Sequence, residues 1–229
     1  MNATSVRQAP APVDLRRRYH LASAAVAMAG PGGPVVALPP FHTAAAARAW
    51  LDAEVLALLA DPDPEPTRWL APVLADYLEA TGRHHEAAEL FARALIAGGG
   101  PAERIRLARA LTRIGWHAEA AEHYRTASLD DPGALTDLGL CLFRLERYDE
   151  ARSVFERVLA LSRARGDRVG ESAALVDIGA CHQRQGHHLL ALAWHTEAYW
   201  VSTRAGCEAG RADASRGLRA AAAALDRSR

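Results

Sequence analysis

The chain has 229 residues, 50% of them hydrophobic and 24% charged, with 27 basic residues balanced by 27 acidic ones. This length can bury a sizeable core, and the balance gives no global signal for nucleic acid or an anionic membrane. Every basic residue is Arg, which excludes a catalytic lysine and a Walker-type phosphate loop.

Residues 1–12 (MNATSVRQAPAP) are polar and Pro-containing and read as a flexible tail. From Asp14 the apolar positions Leu15, Tyr19, Ala22 and Val26 recur at helical spacing, and Gly30 stands where that helix should stop. A loop dense in Gly and Pro follows (GPGGPVVALPPFH). Thr43 can cap a second helix in which Leu51, Val55 and Leu58 share a face beside Trp50. The string DPDPEPT at 61–67 ends it, because Pro lacks an amide donor and disfavours helix before itself. Residues 13–67 thus form an N-terminal helical lead-in.

Beyond this linker the chain repeats itself. Turns beginning at Gly82, Gly115, Glu146 and Gly186 are each followed five residues later by Ala87, Ala120, Ala151 and Ala191. Four residues on stand Phe91, Tyr124, Phe155 and His195, then Ala94, Ala127, Val158 and Ala198. Eight residues before each turn come Leu74, Leu107, Leu138 and Ile178, each followed by Ala or Gly. Small residues at these positions let two helices touch, and the aromatic fills the gap between neighbouring helix pairs. The Ala-to-Ala spacings of 33, 31 and 40 predict one clipped helix and later longer ones. Pro132 suits the first turn of a helix. Residues 208–226 predict a last helix, with Leu218 and an Ala run on one side and Arg on the other. It would cap the stack.

This register resembles the tetratricopeptide (TPR) family, whose helix–turn–helix repeat is about 34 residues long. The resemblance implies an all-α fold: a right-handed superhelix of antiparallel helix pairs, a TPR-like α-solenoid. It divides the chain into four repeats over 68–206 and a C-terminal capping helix over 207–229. It also implies that the first helix of each repeat lines a concave, partner-binding groove. Carried onto this chain, the groove positions are Trp69, Asp76, Arg106, Arg109, Arg113, Asp137, Phe143, Arg144, Asp177 and Arg184. Several Arg beside exposed aromatics suit an acidic protein or peptide segment, because guanidinium groups fork onto carboxylates. Asn2 is the only Asn in the chain, which disfavours a clamp for a C-terminal carboxylate.

A second resemblance covers the lead-in together with the repeats. Arg16-Arg17-Arg18-Tyr19-His20, a Pro-rich loop, Ala49-Trp50-Leu51-Asp52-Ala53-Glu54 and the connector ARGDRVGE are similar to the C-terminal sensor portion of SARP-type bacterial antibiotic-regulatory transcription factors. It implies a regulatory scaffold or sensor, with neither DNA binding nor ATP hydrolysis in this chain. The alternative within the same context is a receptor for a small molecule or peptide in the groove.

Other chemistry finds little purchase. Cys141, Cys181 and Cys207 are odd in number and widely spaced, so neither a disulfide framework nor a zinc site is expected, and the reducing cytoplasm is the expected compartment. His84, His85, His187 and His188 fall at turns, and His182 and His195 are expected to pack against each other. No GxSxG, no catalytic triad and no HExxH occurs, so no enzyme and no cofactor is expected. No apolar run is long enough to span a bilayer.

Overall fold

The computed structural model describes residues 13–29, 41–127 and 131–227. The expected tail at 1–12 and most of the Gly/Pro-rich loop lie outside them. Among the described residues there are eleven helices and no strand. They are α1 (Val13–Ala29), α2 (Ala44–Ala60), α3 (Glu65–Ala80), α4 (His84–Ile96), α5 (Pro101–Arg113) and α6 (His117–Ala127), then α7 (Pro132–Arg144), α8 (Tyr148–Arg165), α9 (Arg168–Arg184), α10 (His188–Ala205) and α11 (Glu208–Arg227). No helix among them is long and apolar enough to cross a membrane. The chain divides into two compact units, Met1–Ala110 and Leu111–Arg229.

In the N-terminal unit, α1 packs on α2 and α3, and α2 also touches α3 and α4. Thr43 caps α2 as its sequence position suggests, its hydroxyl accepting the amide of Ala46. The inward face of α2 is Ala47, Leu51, Val55 and Leu58, all fully buried. Trp50 packs its ring against Phe41 at 5.8 Å. Polar ties fix the lead-in onto the first helix pair. Tyr77 donates to Asp52 at 2.6 Å and Arg83 pairs with the same carboxylate at 2.5 Å, while within the lead-in Arg18 pairs with Glu54 at 2.7 Å. The DPDPEPT string ends α2 at Asp61, yet α3 already begins within it at Glu65. Pro66 is tolerated there because a first-turn amide has no intrahelical partner to lose.

The repeat register materialises as one recurring turn. Gly82, Gly115, Glu146 and Gly186 all have positive φ, at 70°, 90°, 61° and 79°. In each case the next amide reaches back across the turn: Arg83 to Leu78, Trp116 to Leu111, Arg147 to Leu142 and His187 to His182, all at 2.9 Å. This left-handed exit satisfies the orphan carbonyls at a helix end and folds the chain back on itself.

In the C-terminal unit α7 packs with α6 and α8, α9 with α8 and α10, and α11 with both α9 and α10. The clipped helix is α6 with 11 residues, while α8, α9 and α10 run to 18, 17 and 18. Pro132 opens α7, with Asp131 capping through the amides of Gly133 and Ala134. The aromatic positions Tyr124, Phe155 and His195 are all buried. Two tight two-residue connections, α8 to α9 and α10 to α11, share one local design. Gly166 and Gly206 end α8 and α10 with the same φ of 67° and ψ of 17°. Asp167 then accepts the amide of Gly170, and Cys207 Sγ accepts that of Gly210 at 3.4 Å. Between α8, α9 and α10 sits Glu171, buried and held by Arg163 at 2.8 Å and Arg168 at 2.7 Å. Burial pushes its carboxyl up, but the hydrogen bonds from Arg163 and Arg168 prevail and hold it below the usual carboxylate value. Removing one such partner would leave a buried charge uncompensated.

One sequence expectation fails. His182 and His195 do not pack on each other. His182 stacks on Trp194 at 6.4 Å and lies 5.9 Å from His187. His195 instead fills the space between Gly179 and Gly217. Each imidazole thus meets its own set of neighbours, a distinction that a linear register does not carry.

Candidate interaction face

The first helix of each pair buries one side and leaves a narrow stripe uncovered. In α7 the buried positions are Ala134, Leu135, Leu138, Gly139, Cys141 and Leu142. What remains is Gly133, Asp137, Leu140 and Arg144, with Phe143 alongside, a spacing that keeps them on one side of a helix. In α9 the same logic leaves Ala173, Asp177, Ala180 and Arg184. In α5 it leaves Ala102, Arg106, Arg109 and Arg113, and in α3 Trp69, Asp76 and Ala80. The residues carried over from the family pattern therefore fall on the uncovered stripes of α3, α5, α7 and α9 or beside them.

In the N-terminal unit these groups engage one another. Arg106 pairs with Asp76 at 3.6 Å. Trp69 donates to Glu65 at 3.3 Å and lies under the Arg68 guanidinium at 5.7 Å. Arg109 also has a partner.

The C-terminal unit differs. Arg113, Arg144 and Arg184 are each the last residue of their helix and each exposed. Among the described residues none of the three pairs with a carboxylate. Arg184 lies over Phe143 at 5.8 Å and over Tyr148 at 5.7 Å, and those two rings meet edge to face at 5.3 Å. Leu140 between the charged ends is 43% exposed. Seven residues before Arg144 and Arg184, on the same stripes, are Asp137 and Asp177, both half-buried. Burial and the nearby Asp213 of α11 push the Asp177 carboxyl up to about 7. Asp213 itself pairs with Arg216 at 2.6 Å.

The second helices of the pairs also carry arginines, several of them neutralised within the fold. Arg125 binds Glu122 and Glu150, Arg147 binds Glu150, Arg152 binds Asp149 and Glu156, and Arg163 binds Glu171 and Glu197. A groove of 380 Å³ between α6, α7 and α8 is lined by these same internally paired groups, including Arg125 and Glu150. Arg113, Arg144 and Arg184 stand apart from these paired arginines.

The thiols and histidines sit elsewhere. Cys141 and Cys181 are fully buried and free. Cys141 Sγ meets the Thr112 hydroxyl at 3.3 Å, and burial, reinforced by Asp177, pushes the Cys181 thiol up to about 12. Both behave as small apolar groups rather than nucleophiles. Among the described residues no group of three His, Cys, Asp or Glu stands close enough to hold a metal ion. Sequence reasoning missed Tyr148, which completes the aromatic bed under Arg184. Its position at the start of α8, one turn from Phe143, was the available signal.

A family model described as tetratricopeptide repeat matches residues 131–201. Similar solved structures include a kinesin light chain with nearly identical TPR-like repeats from Podosopora anserina, at 19% identity, covering 73% of this chain and 90% of that one with a TM-score of 0.57. BtubC (BKLC) from P. vanneervenii is similar at 17% identity over 94% of this chain and 90% of that one, TM-score 0.56. The MamA protein is similar at 17% identity over 70% and 92%, TM-score 0.51. No curated protein matches the chain. The chain thus carries tetratricopeptide repeats over 131–201, and its helix pairs have the TPR-like α-solenoid fold.

Proposed function

We propose that the chain is a protein–protein interaction module, a regulatory scaffold or sensor, that holds a segment of another protein on the uncovered stripes of α7 and α9. One observation carries this reading. Arg113, Arg144 and Arg184 are left without carboxylate partners around exposed Leu140 and half-buried Phe143, while Arg125 on α6 and Arg152 and Arg163 on α8 are neutralised within the fold. Unpaired guanidinium groups beside apolar anchors suit recognition, because forked hydrogen bonds and a desolvated aromatic supply most of the energy of such contacts.

In this reading the repeats run over 68–206 and α11 closes them. Forty residues before Arg219 stands Gly179, the small position against which His195 packs. Arg219 is exposed at the corresponding place in α11 and leaves no seat for the aromatic of a further helix pair. Cytoplasmic residence belongs to the same reading, since three free thiols fit a reducing compartment.

The test is a photo-crosslinking amino acid placed at Leu140 and, in a second sample, at exposed Ala160 on α8. A partner captured through Leu140 and not through Ala160 supports the reading. Capture through Ala160 alone, or through neither position, overturns it.

A further inference from the structure

The outer side of α10 lacks the charge that its counterpart α8 carries. Counted from the matched turns at Glu146 and Gly186, each position of α10 stands forty residues after one of α8. Asp149, Glu150 and Glu156 of α8 are replaced by Leu189, Leu190 and Thr196, and Ala160 by Trp200. Leu189, Leu190 and Trp200 are 71%, 50% and 57% exposed. The replacement goes against local preference, because the first turn of a helix favours acidic residues, which α8 has and α10 lacks. Large apolar side chains kept in water against such a preference mark a contact surface.

We propose that this side of α10 docks a second copy of the chain, the two α10 helices lying antiparallel across a two-fold axis. Leu189, Ala193, Thr196 and Trp200 follow one another at spacings of four, three and four, which puts them on one line along the helix. That line reads the same in both directions: large, small, small, large. Turned about an axis between Trp194 and His195, Leu189 of each copy meets Trp200 of the other, and Ala193 meets Thr196. The small pair in the middle lets the backbones approach, and each end sets one apolar anchor on another. A helix from an unrelated protein would require no such symmetry in α10.

Charge favours the same occupant. Residues nearest a two-fold axis face their own copies, so a charge there meets its like. From Leu189 to Thr196 α10 has no Asp, Glu or Arg, and Glu197 beside the line is already paired with Arg163 of α8 at 2.6 Å. With Glu156 in the place of Thr196, α8 could not pair in this way. From Leu189 to Trp200 the contact runs about 16 Å along the helix. One helix pair of that length lies at the small end of specific interfaces, so dimer and monomer should exchange at roughly 10–100 µM. The surface belongs to a second helix, apart from the stripes of α7 and α9, and stands or falls without them.

Sedimentation velocity of the full chain from about 5 to about 500 µM brackets that range. Wild type should pass from monomer to dimer. Leu189→Asp/Leu190→Glu/Trp200→Ala gives α10 the residues that α8 carries at those positions. It should weaken self-association about tenfold or more, with helicity by circular dichroism unchanged. Orientation is read by electron paramagnetic resonance, with a nitroxide on Arg204→Cys in a Cys207→Ser background. The antiparallel arrangement places the two labels about 30 Å apart, whereas a parallel one brings them within about 15 Å. A monomer at every concentration overturns the proposal, as does a dimer that the triple variant leaves intact or a label separation of the parallel kind. Binding of wild type but not the triple variant to phosphatidylcholine vesicles, with no dimer formed, would make the line a lipid contact and overturns it equally.

Discussion

Gly179 of α9 lies directly beneath the imidazole of His195 on α10: a Cβ on that glycine would stand 2.7 Å from His195 Cε1. Gly217 of α11 presses the other side, where a Cβ would come within 2.5 Å of the same ring. One repeat earlier Gly139 makes room for Phe155 in the same way, with a would-be Cβ 2.7 Å from Cζ. These close approaches set the distance between paired helices. Gly179→Ala and Gly139→Ala should each destabilise the chain by about 1–3 kcal/mol through overpacking, partly offset by the better helix propensity of Ala. Urea unfolding measures this, and a neutral result at both sites would show that the helices separate without cost.

The imidazole that fills this slot is 2% exposed, and neither ring nitrogen has a hydrogen-bond partner. Burial holds its pKa below the usual histidine value. Above about pH 6.5 His195 is neutral in both folded and unfolded chains and contributes no pH dependence. As pH falls below that value the unfolded state takes up a proton first, and stability is lost until the folded pKa is reached. His195→Phe, which installs the residue of the Phe91 and Phe155 positions, removes this loss. Urea midpoints at pH 8 and pH 5 should show the advantage of the variant over wild type growing toward acid. An equal advantage at both values would mean that the ring titrates freely in the fold.

Asp177 works in the opposite sense. Its folded pKa of about 7 lies above the ordinary value of 3.8. Between roughly pH 4 and 7 the unfolded chain surrenders this proton while the folded chain retains it, so stability falls as pH rises through that window. Asp177→Asn should therefore stabilise the chain at pH 8 by on the order of 2 kcal/mol, with the gain shrinking toward pH 4. Comparing wild type and variant at each pH cancels the contribution of His195, which both retain.

The turn between α7 and α8 carries a local conflict. Glu146 has φ of 61°, while its three counterparts are glycines. A side chain in the left-handed region costs about 1 kcal/mol or more, and Glu146 is exposed. Glu146→Gly should raise the urea midpoint by the equivalent of about 1 kcal/mol with an unchanged slope. No gain would mean that lost backbone freedom in the unfolded chain offsets the relief of strain.

Helix identity and pairing were legible in the sequence because they depend on local chemistry. Thr43, Asp131 and Pro132 mark helix starts by what their side chains do to the nearest amides. The turns from Gly82 to Gly186 recur because a chain reversing after a helix needs one left-handed residue at a fixed place. The small-residue and aromatic register follows from the contact between paired helices, so spacing alone revealed it. Two things belonged to the tertiary structure. Which arginines are neutralised depends on carboxylates brought from other helices, as with Arg125 and Glu150 of α6 and α8, or Arg163 and Glu197 of α8 and α10. The fate of the buried histidines was equally non-local. His195 meets Gly217, which is 22 positions further along the chain and on another helix, and His182 turns to Trp194 instead. Periodicity fixes the face of a helix on which a residue lies. Only packing decides what stands opposite it, and charge and burial follow from that.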